Sequence, residues 1–169
     1  SSTQTSHLVK PKNIVLITDD EHRWECFAGG PDSWCNTPAI ASLRREGTTL
    51  HNCYANSPVC MPARFTWLTG LCNSQIERGP RNGYDFPLNL PTMPQALRAH
   101  GYTTAMIGKL HAHNYFTLKD HHISELEEHS EALGFHYVHE GSGKALIAFR
   151  DTGIRGCRYT DYLERKGLL

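Results

Sequence analysis

Asn13-Ile14-Val15-Leu16-Ile17-Thr18 decides the predicted fold. This unbroken run of apolar and β-branched residues is typical of a strand buried on both faces of a parallel sheet. Helical patterns alternate with strand-like ones further along the chain. The alternation predicts an α/β fold with a mostly parallel sheet flanked by helices. Residues 1–12 are polar and predict a flexible lead-in, whereas residues 13–169 form the folded part.

Two further strands are predicted, at residues 48–54 and 102–107. Helices are predicted where an apolar face follows a Ser/Thr or Pro start signal or precedes a glycine, at residues 38–46, 62–69, 95–100, 124–133 and 160–166. Residues 71–90 are rich in Gly, Pro and Asn and predict a long loop. Residues 135–156 show little pattern of either kind.

The composition narrows the classes of partner. The 169 residues carry 17 basic and 17 acidic side chains, so no polybasic surface for nucleic acid is indicated. The longest apolar run is strand-sized, which predicts no membrane partner. Six cysteines without a Cys-x-x-Cys pair argue against structural zinc. Residues 1–10 show no signal peptide, and the compartment is left open, with an extracytoplasmic (periplasmic, secreted or lysosomal) location favoured over the cytoplasm.

Three pairs of polar side chains follow predicted strands or begin a predicted helix. They are Asp19 and Asp20, Cys60 and Arg64, and Lys109 and His111. In open α/β sheets, ligands bind beyond the carboxyl ends of the strands. The three pairs are therefore expected to converge on one crevice.

Each pair has a chemical interpretation and a simpler alternative. Adjacent carboxylates at Asp19 and Asp20 suit a hard cation such as Ca²⁺ or Mg²⁺, although an ordinary acidic loop gives the same pattern. Cys60 precedes a helix-starting Pro62, and Arg64 lies one turn later on the same face. A helix N-terminus there favours negative charge. The alternative is a buried structural cysteine with Arg64 in a surface ion pair.

Lys109 and His111 alternate with Leu110 at the end of a predicted strand. A period of two residues predicts that both side chains lie on the same face of the strand. A cation and an imidazole that face one way can bind an oxyanion and transfer a proton. Two solvated side chains are the simpler interpretation.

Longer stretches resemble sulfatases of the alkaline-phosphatase-like superfamily. Residues 12–20 resemble the opening strand of that family, and residues 37–47 resemble its first helix. Residues 54–64, with Leu68-Thr69-Gly70, resemble the signature at which a cysteine becomes formylglycine. Residues 97–104 and 107–111 resemble the next block, and order and spacing match over about residues 12–111.

The resemblance implies a role for each motif residue in the reaction. Cys60 would be oxidised to formylglycine, whose hydrate attacks the sulfur of a sulfate ester. Arg64 would hold that hydrate and offset its charge. Lys109 would bind a sulfate oxygen, and His111 would contact the hydrated aldehyde and help to expel sulfate.

The resemblance also implies a bound divalent cation. Asp19 and Asp20 would ligate it, together with the modified residue at Cys60. Ca²⁺ is the usual ion of the family, with Mg²⁺ or Mn²⁺ as alternatives. The implied substrate is a small-molecule or carbohydrate sulfate ester.

The family's catalytic domain is much longer than this chain. Residues 13–169 are therefore expected to be the N-terminal part of such a domain, with little activity in isolation and with a complementary chain or a second copy as partner. Two other functions stay open. One is hydrolysis of phosphonate or phosphate monoesters or diesters within the same superfamily. The other is a catalytically incomplete sulfatase fragment that acts as a binding or structural module.

Overall fold

The computed structural model describes residues 12–27, 34–76, 81–115, 119–143 and 154–169. Apart from Lys12, the lead-in predicted at residues 1–12 lies outside these ranges. The chain divides into two compact units, residues 1–53 and residues 54–169.

Among the residues described in the first unit there are two helices, α1 (Trp24–Phe27) and α2 (Pro38–Glu46). The prediction of α2 is confirmed, with Pro38 in its first turn and Gly47 after its last residue. The Thr37 hydroxyl does not cap this helix. It donates instead to the Cys26 carbonyl oxygen at 3.2 Å, and thereby ties the start of α2 to the end of α1.

The predictions of strands at residues 13–18 and 48–54 are wrong. Among the described residues, neither segment forms a strand. The side chains of Ile14, Val15, Leu16 and Ile17 are 59–82% exposed. A strand is stabilised by ladder hydrogen bonds and by cover on its faces. The apolar run has neither in the described part of the chain.

Over its described residues, the second unit contains four α-helices and two 3₁₀ turns. The α-helices are α3 (Cys60–Thr69), α4 (Met93–Ala99), α5 (Glu127–Ala132) and α6 (Arg158–Arg165), and the turns span Asn73–Gln75 and Ile123–Leu126. All four helices were predicted, with bounds that differ by at most three residues. The helix predicted from residue 124 begins as the second 3₁₀ turn. No helix within the described ranges is both long enough and apolar enough to span a membrane.

In the described part of the second unit, the sheet has two parallel strands, β1 (Ala105–Gly108) and β2 (Tyr137–Glu140). Their register pairs Ala105 with Tyr137 and Gly108 with Glu140. The strand predicted at residues 102–107 is therefore confirmed, although it begins three residues later and ends one residue later, and α5 lies in the crossover between the strands. The α/β class is confirmed. The strand β2 was missed within residues 135–156.

The core of the second unit forms around α3. Met61, Phe65 and Leu68 are almost completely buried there. The Phe65 ring meets Tyr84 and Phe86 edge-on, with centroids 5.4 and 4.4 Å apart. Core residues from the sheet and its flanking loops complete the cluster, namely Met106, Leu110, Ala112, Leu133, Phe135 and Val138. The motif helix is thereby anchored against the strands that end at the candidate site.

Candidate active site

Cys60 is the first residue of α3 and is half-buried. The helix therefore begins two residues before the predicted start. The loop before Cys60 is held by two side chains. The Ser57 hydroxyl accepts a hydrogen bond from the Val59 amide at 3.4 Å, and Asn56 Oδ1 accepts one from the Asn73 amide at 2.8 Å. These two hydrogen bonds hold the loop that leads to Cys60.

A second loop caps the start of the same helix. Asn82 Oδ1 accepts a hydrogen bond from the Met61 amide at 3.0 Å, and the Gly83 amide donates to Met61 Sδ at 3.3 Å. These contacts satisfy one of the amide groups that a helix N-terminus leaves unpaired. Sequence reasoning assigned this loop no role at the site. The turn-forming pair Asn82-Gly83 was the available signal.

Arg64 lies one turn after Cys60 and is only 6% exposed. The alternative of a surface ion pair is therefore wrong. Burial and the nearby Glu140 carboxylate raise the pKa of the Tyr115 phenol, and the Arg64 charge opposes that rise. The guanidinium therefore lies within electrostatic reach of Tyr115.

His111 packs directly against the same tyrosine. The two rings are stacked, with centroids 4.6 Å apart and planes within 4°. His111 is 9% exposed, so it is not a solvated side chain. Its φ of +56° is left-handed, a conformation that costs a non-glycine residue about 1–2 kcal/mol. Gly108, with φ of +103°, ends β1 three residues earlier. The period-two argument for Lys109 and His111 is therefore wrong, because the strand stops before both.

Lys109 is half-buried and lies beside Gly143. Its Nζ atom would be 3.4 Å from a Cβ placed at Gly143. The Gly141 amide donates to the Gly108 carbonyl oxygen at 2.8 Å, which continues the pairing of β1 and β2. Leu110, between the two motif residues, is 1% exposed and anchors the loop in the core.

Glu140, the last residue of β2, was missed by sequence reasoning. It is completely buried. Its Oε1 accepts hydrogen bonds from the His111 amide at 3.0 Å and from the Tyr115 hydroxyl at 2.5 Å, and its Oε2 accepts one from the Ser130 hydroxyl at 3.0 Å. His113 Nε2 lies 3.6 Å from Oε2. The available signal was the alternation within residues 137–140, which places Glu140 on the buried face with Val138.

The environment keeps this buried carboxylate ionised. Burial alone would raise the pKa of Glu140, because a charge is costly away from water. Hydrogen bonds and charge from His113, together with the hydrogen bonds from Tyr115 and Ser130, outweigh burial and lower the pKa below its usual value. A fixed negative charge therefore lies behind the loop that carries His111.

Asp19 and Asp20 belong to the first unit, where both are exposed. Asp19 Oδ2 is hydrogen-bonded to His22 Nδ1. Their carboxylate oxygens are hard donors of the type that Ca²⁺ prefers, but Ca²⁺ takes six to eight oxygen ligands. Within the described ranges, no group of three or more His, Cys, Asp or Glu side chains is arranged to hold a metal. The two aspartates therefore need further oxygen ligands to bind Ca²⁺.

Comparison with known proteins identifies the family. The sulfatase family model matches residues 12–147, which include every motif residue discussed above. This chain belongs to the sulfatase family. It is 32% identical over 167 residues to an arylsulfatase of Clostridium perfringens, a match that covers 94% of this chain and 31% of that protein. It is 33% identical over 99 residues to a choline-sulfatase of Rhizobium meliloti, covering 59% of this chain and 19% of the relative. Arylsulfatase K of Homo sapiens is 29% identical over 153 residues, covering 90% and 28% of the two chains.

The sulfatase chain thus spans about a fifth to a third of the length of these relatives. In its second unit Arg64 and His111, two of the predicted site residues, are both buried, and His111 stacks on Tyr115. Cys60 lies one helical turn from Arg64, and Lys109 lies two residues from His111. The roles of all six predicted site residues stay predictions.

Proposed function

We propose that the protein containing this sulfatase chain hydrolyses sulfuric esters with a formylglycine made from Cys60 and a divalent cation. One observation carries the proposal. Met61 and Phe65, which flank Arg64 in α3, lie in the same buried cluster as Leu110 and Ala112, which flank His111 about 47 positions later in the sequence. Two motifs that resemble the family's catalytic blocks therefore share the core of one unit.

The proposed roles follow from charge and position. A sulfate ester spreads negative charge over its oxygens during cleavage, so fixed positive charges stabilise its transition state. Arg64 would offset charge at position 60, and Lys109 would bind a sulfate oxygen. His111, held by its stacked ring, would accept and return a proton as sulfate leaves.

Two groups would complete this chemistry. Formylglycine, once hydrated, supplies one oxygen for attack on sulfur and a second oxygen whose deprotonation releases sulfate. Asp19 and Asp20 would supply carboxylate ligands to Ca²⁺, or to Mg²⁺ or Mn²⁺. A bound dication offsets negative charge on the ester.

Maturation of Cys60 is a two-electron oxidation. The side chain CH₂–SH becomes CH=O. The sulfur leaves as H₂S, the oxygen comes from water, and two electrons and two protons pass to an oxidant such as dioxygen. The mass of the peptide that carries residue 60 tests this step, after production of the chain together with a formylglycine-forming enzyme. We expect loss of sulfur and two hydrogens and gain of one oxygen. The exposed Cys72 in the same sample is the control and should stay a thiol.

The reaction itself is tested with a panel of esters. We expect the matured protein to cleave aryl sulfates faster than aryl phosphates or phosphonates, and Cys60→Ala to abolish turnover. Cys72→Ala is the matched control and should keep full activity. Faster phosphonate cleavage would assign the protein to the phosphonate and phosphate hydrolases of the superfamily. An unmodified Cys60 with no turnover of any ester would support a non-catalytic binding or structural module.

A further inference from the structure

Glu140 is the last residue of β2 and therefore lies at the end of the sheet. In the parallel register, Glu140 pairs with Gly108, the last residue of β1. The loop with Lys109 and His111 begins at the next residue. A side chain at position 140 that points into the interior therefore lies directly behind this loop.

The loop contains backbone strain that needs support. Gly108 and His111 both have positive φ, and only glycine adopts that region readily. The His111 amide donates to Glu140 Oε1 at 3.0 Å, on the residue whose backbone is strained. Such a conformation persists where the surrounding structure over-determines it.

The same carboxylate also holds the stacking partner of His111. The Tyr115 hydroxyl donates to Oε1 at 2.5 Å, while the Tyr115 ring stacks on the imidazole. Ser130, at the other oxygen, fixes the orientation of the carboxylate from α5. One side chain therefore controls both the backbone of His111 and the ring that packs on it.

We propose that Glu140 is the positioning residue of the His111 imidazole in this sulfatase. It does not touch substrate in this proposal. It acts through the His111 amide and through Tyr115. The catalytic part of the inference rests on the proposed function, which gives His111 its role, whereas the structural part does not.

The structural part is tested by NMR of the His111 ring protons in the 169-residue chain. A stacked tyrosine shifts the protons of its neighbour upfield, and the spectrum of His111→Gln identifies the signal. We expect Glu140→Gln, which keeps the shape but removes the charge, to lose most of this upfield shift. The core methyl signals of Leu110 and Met61 should stay in place. Glu128→Gln, an exposed carboxylate on α5, is the matched control and should change nothing.

Tyr115→Phe keeps the test decisive if Glu140→Gln does not fold. It retains the ring but removes the hydroxyl that donates to Glu140, so we expect a smaller and broader His111 shift. An unchanged His111 signal in a folded Glu140→Gln variant, or in Tyr115→Phe where the former does not fold, would overturn the proposal.

The catalytic part is tested in the active sulfatase. We expect Glu140→Gln to lower kcat about 10- to 100-fold with KM nearly unchanged, because a misplaced catalytic group slows the chemical step. Glu140→Asp should recover part of the loss. Unchanged kcat alongside a lost NMR signature would refute the catalytic part alone. Absence of wild-type turnover would refute the proposed function and leave the NMR result standing.

Discussion

His111 and Glu140 show how far a single residue's role depends on a distant partner. His111 follows a strand in the sequence, yet its backbone is left-handed and its ring is buried. Glu140, 29 residues later, accepts a hydrogen bond from the His111 amide, and Tyr115, between them in the sequence, packs on the His111 ring. The residue types at positions 109 and 111 were recognised from the sequence, whereas their geometry was not.

Protonation of Glu140 should weaken the fold. Because the pKa of Glu140 is lowered in the folded state, its contribution is complete above about pH 4.5, the usual value, and is lost as pH falls through the folded pKa. We expect Glu140→Gln to reduce the free energy of unfolding by about 2 kcal/mol at neutral pH, and by progressively less below pH 4.5. Urea unfolding from pH 7 to pH 3 measures this. Glu128→Gln should show no such trend, and a constant difference for Glu140→Gln would contradict the assignment.

Gly134 is a second residue whose identity is set by its surroundings. Its φ is +107°, and a Cβ there would lie 2.4 Å from the Gln95 amide nitrogen. We expect Gly134→Ala to cost about 3 kcal/mol or more, because backbone cannot move aside cheaply. Gly101→Ala is the matched control. It has a similar φ of +82° with no atom within 4 Å of the new Cβ. It should cost only about 1 kcal/mol. Equal losses in thermal unfolding would show that the close approach at Gly134 is unimportant.

At the scale of elements, α4 and α5 are joined by Thr92, the residue before α4, and by Gln95 in the first turn of α4. Thr92 Oγ1 accepts from the Gln95 amide at 3.3 Å and donates to the Leu133 carbonyl oxygen at 2.5 Å. Gln95 Oε1 accepts from the Thr92 amide at 3.1 Å, and Gln95 Nε2 donates to the Ala132 carbonyl oxygen at 3.2 Å. The capping box at the start of α4 therefore also forms hydrogen bonds with backbone carbonyl groups at the C-terminal end of α5.

Loss of the Thr92 hydroxyl should destabilise this junction. Thr92→Val keeps the volume but removes both hydrogen bonds of a buried side chain, so we expect a loss of about 1–3 kcal/mol. Thr103→Val, at an exposed position, is the control and should change stability by less than about 0.5 kcal/mol. Urea unfolding compares the two variants. A Thr92→Val variant as stable as the control would show that the junction does not depend on this hydroxyl.

At the scale of the whole molecule, the four consecutive apolar side chains at residues 14–17 are exposed. Contiguous apolar surface is rarely left exposed in a soluble monomer and usually marks an interaction site. We expect the 169-residue chain to self-associate as its concentration rises, as measured by sedimentation. Val15→Lys with Ile17→Lys should shift it toward monomer with little effect on the free energy of unfolding, because both side chains are about 80% exposed. A chain that stays monomeric at all concentrations would contradict this.

The sequence by itself determined helices α2 to α6, the family and which residues are candidates for the site. Helices α2 to α6 could be predicted because their hydrogen bonds close within four residues and their ends carry Pro, Thr or Gly signals. The motif at residues 60–64 was recognised because a short continuous stretch of sequence resembles the sulfatase signature. Local chemistry is readable from local sequence.

Only the tertiary structure decided which strands pair and which polar groups meet. The pairing of residues 105–108 with residues 137–140 joins segments 32 positions apart, and the apolar run at residues 13–18 remains unpaired in the described part of the chain. The arrangement of His111, Tyr115 and Glu140 depends on that pairing. A strand, and equally a buried charge, is stable only with a partner from elsewhere in the chain, and no short stretch of sequence specifies that partner.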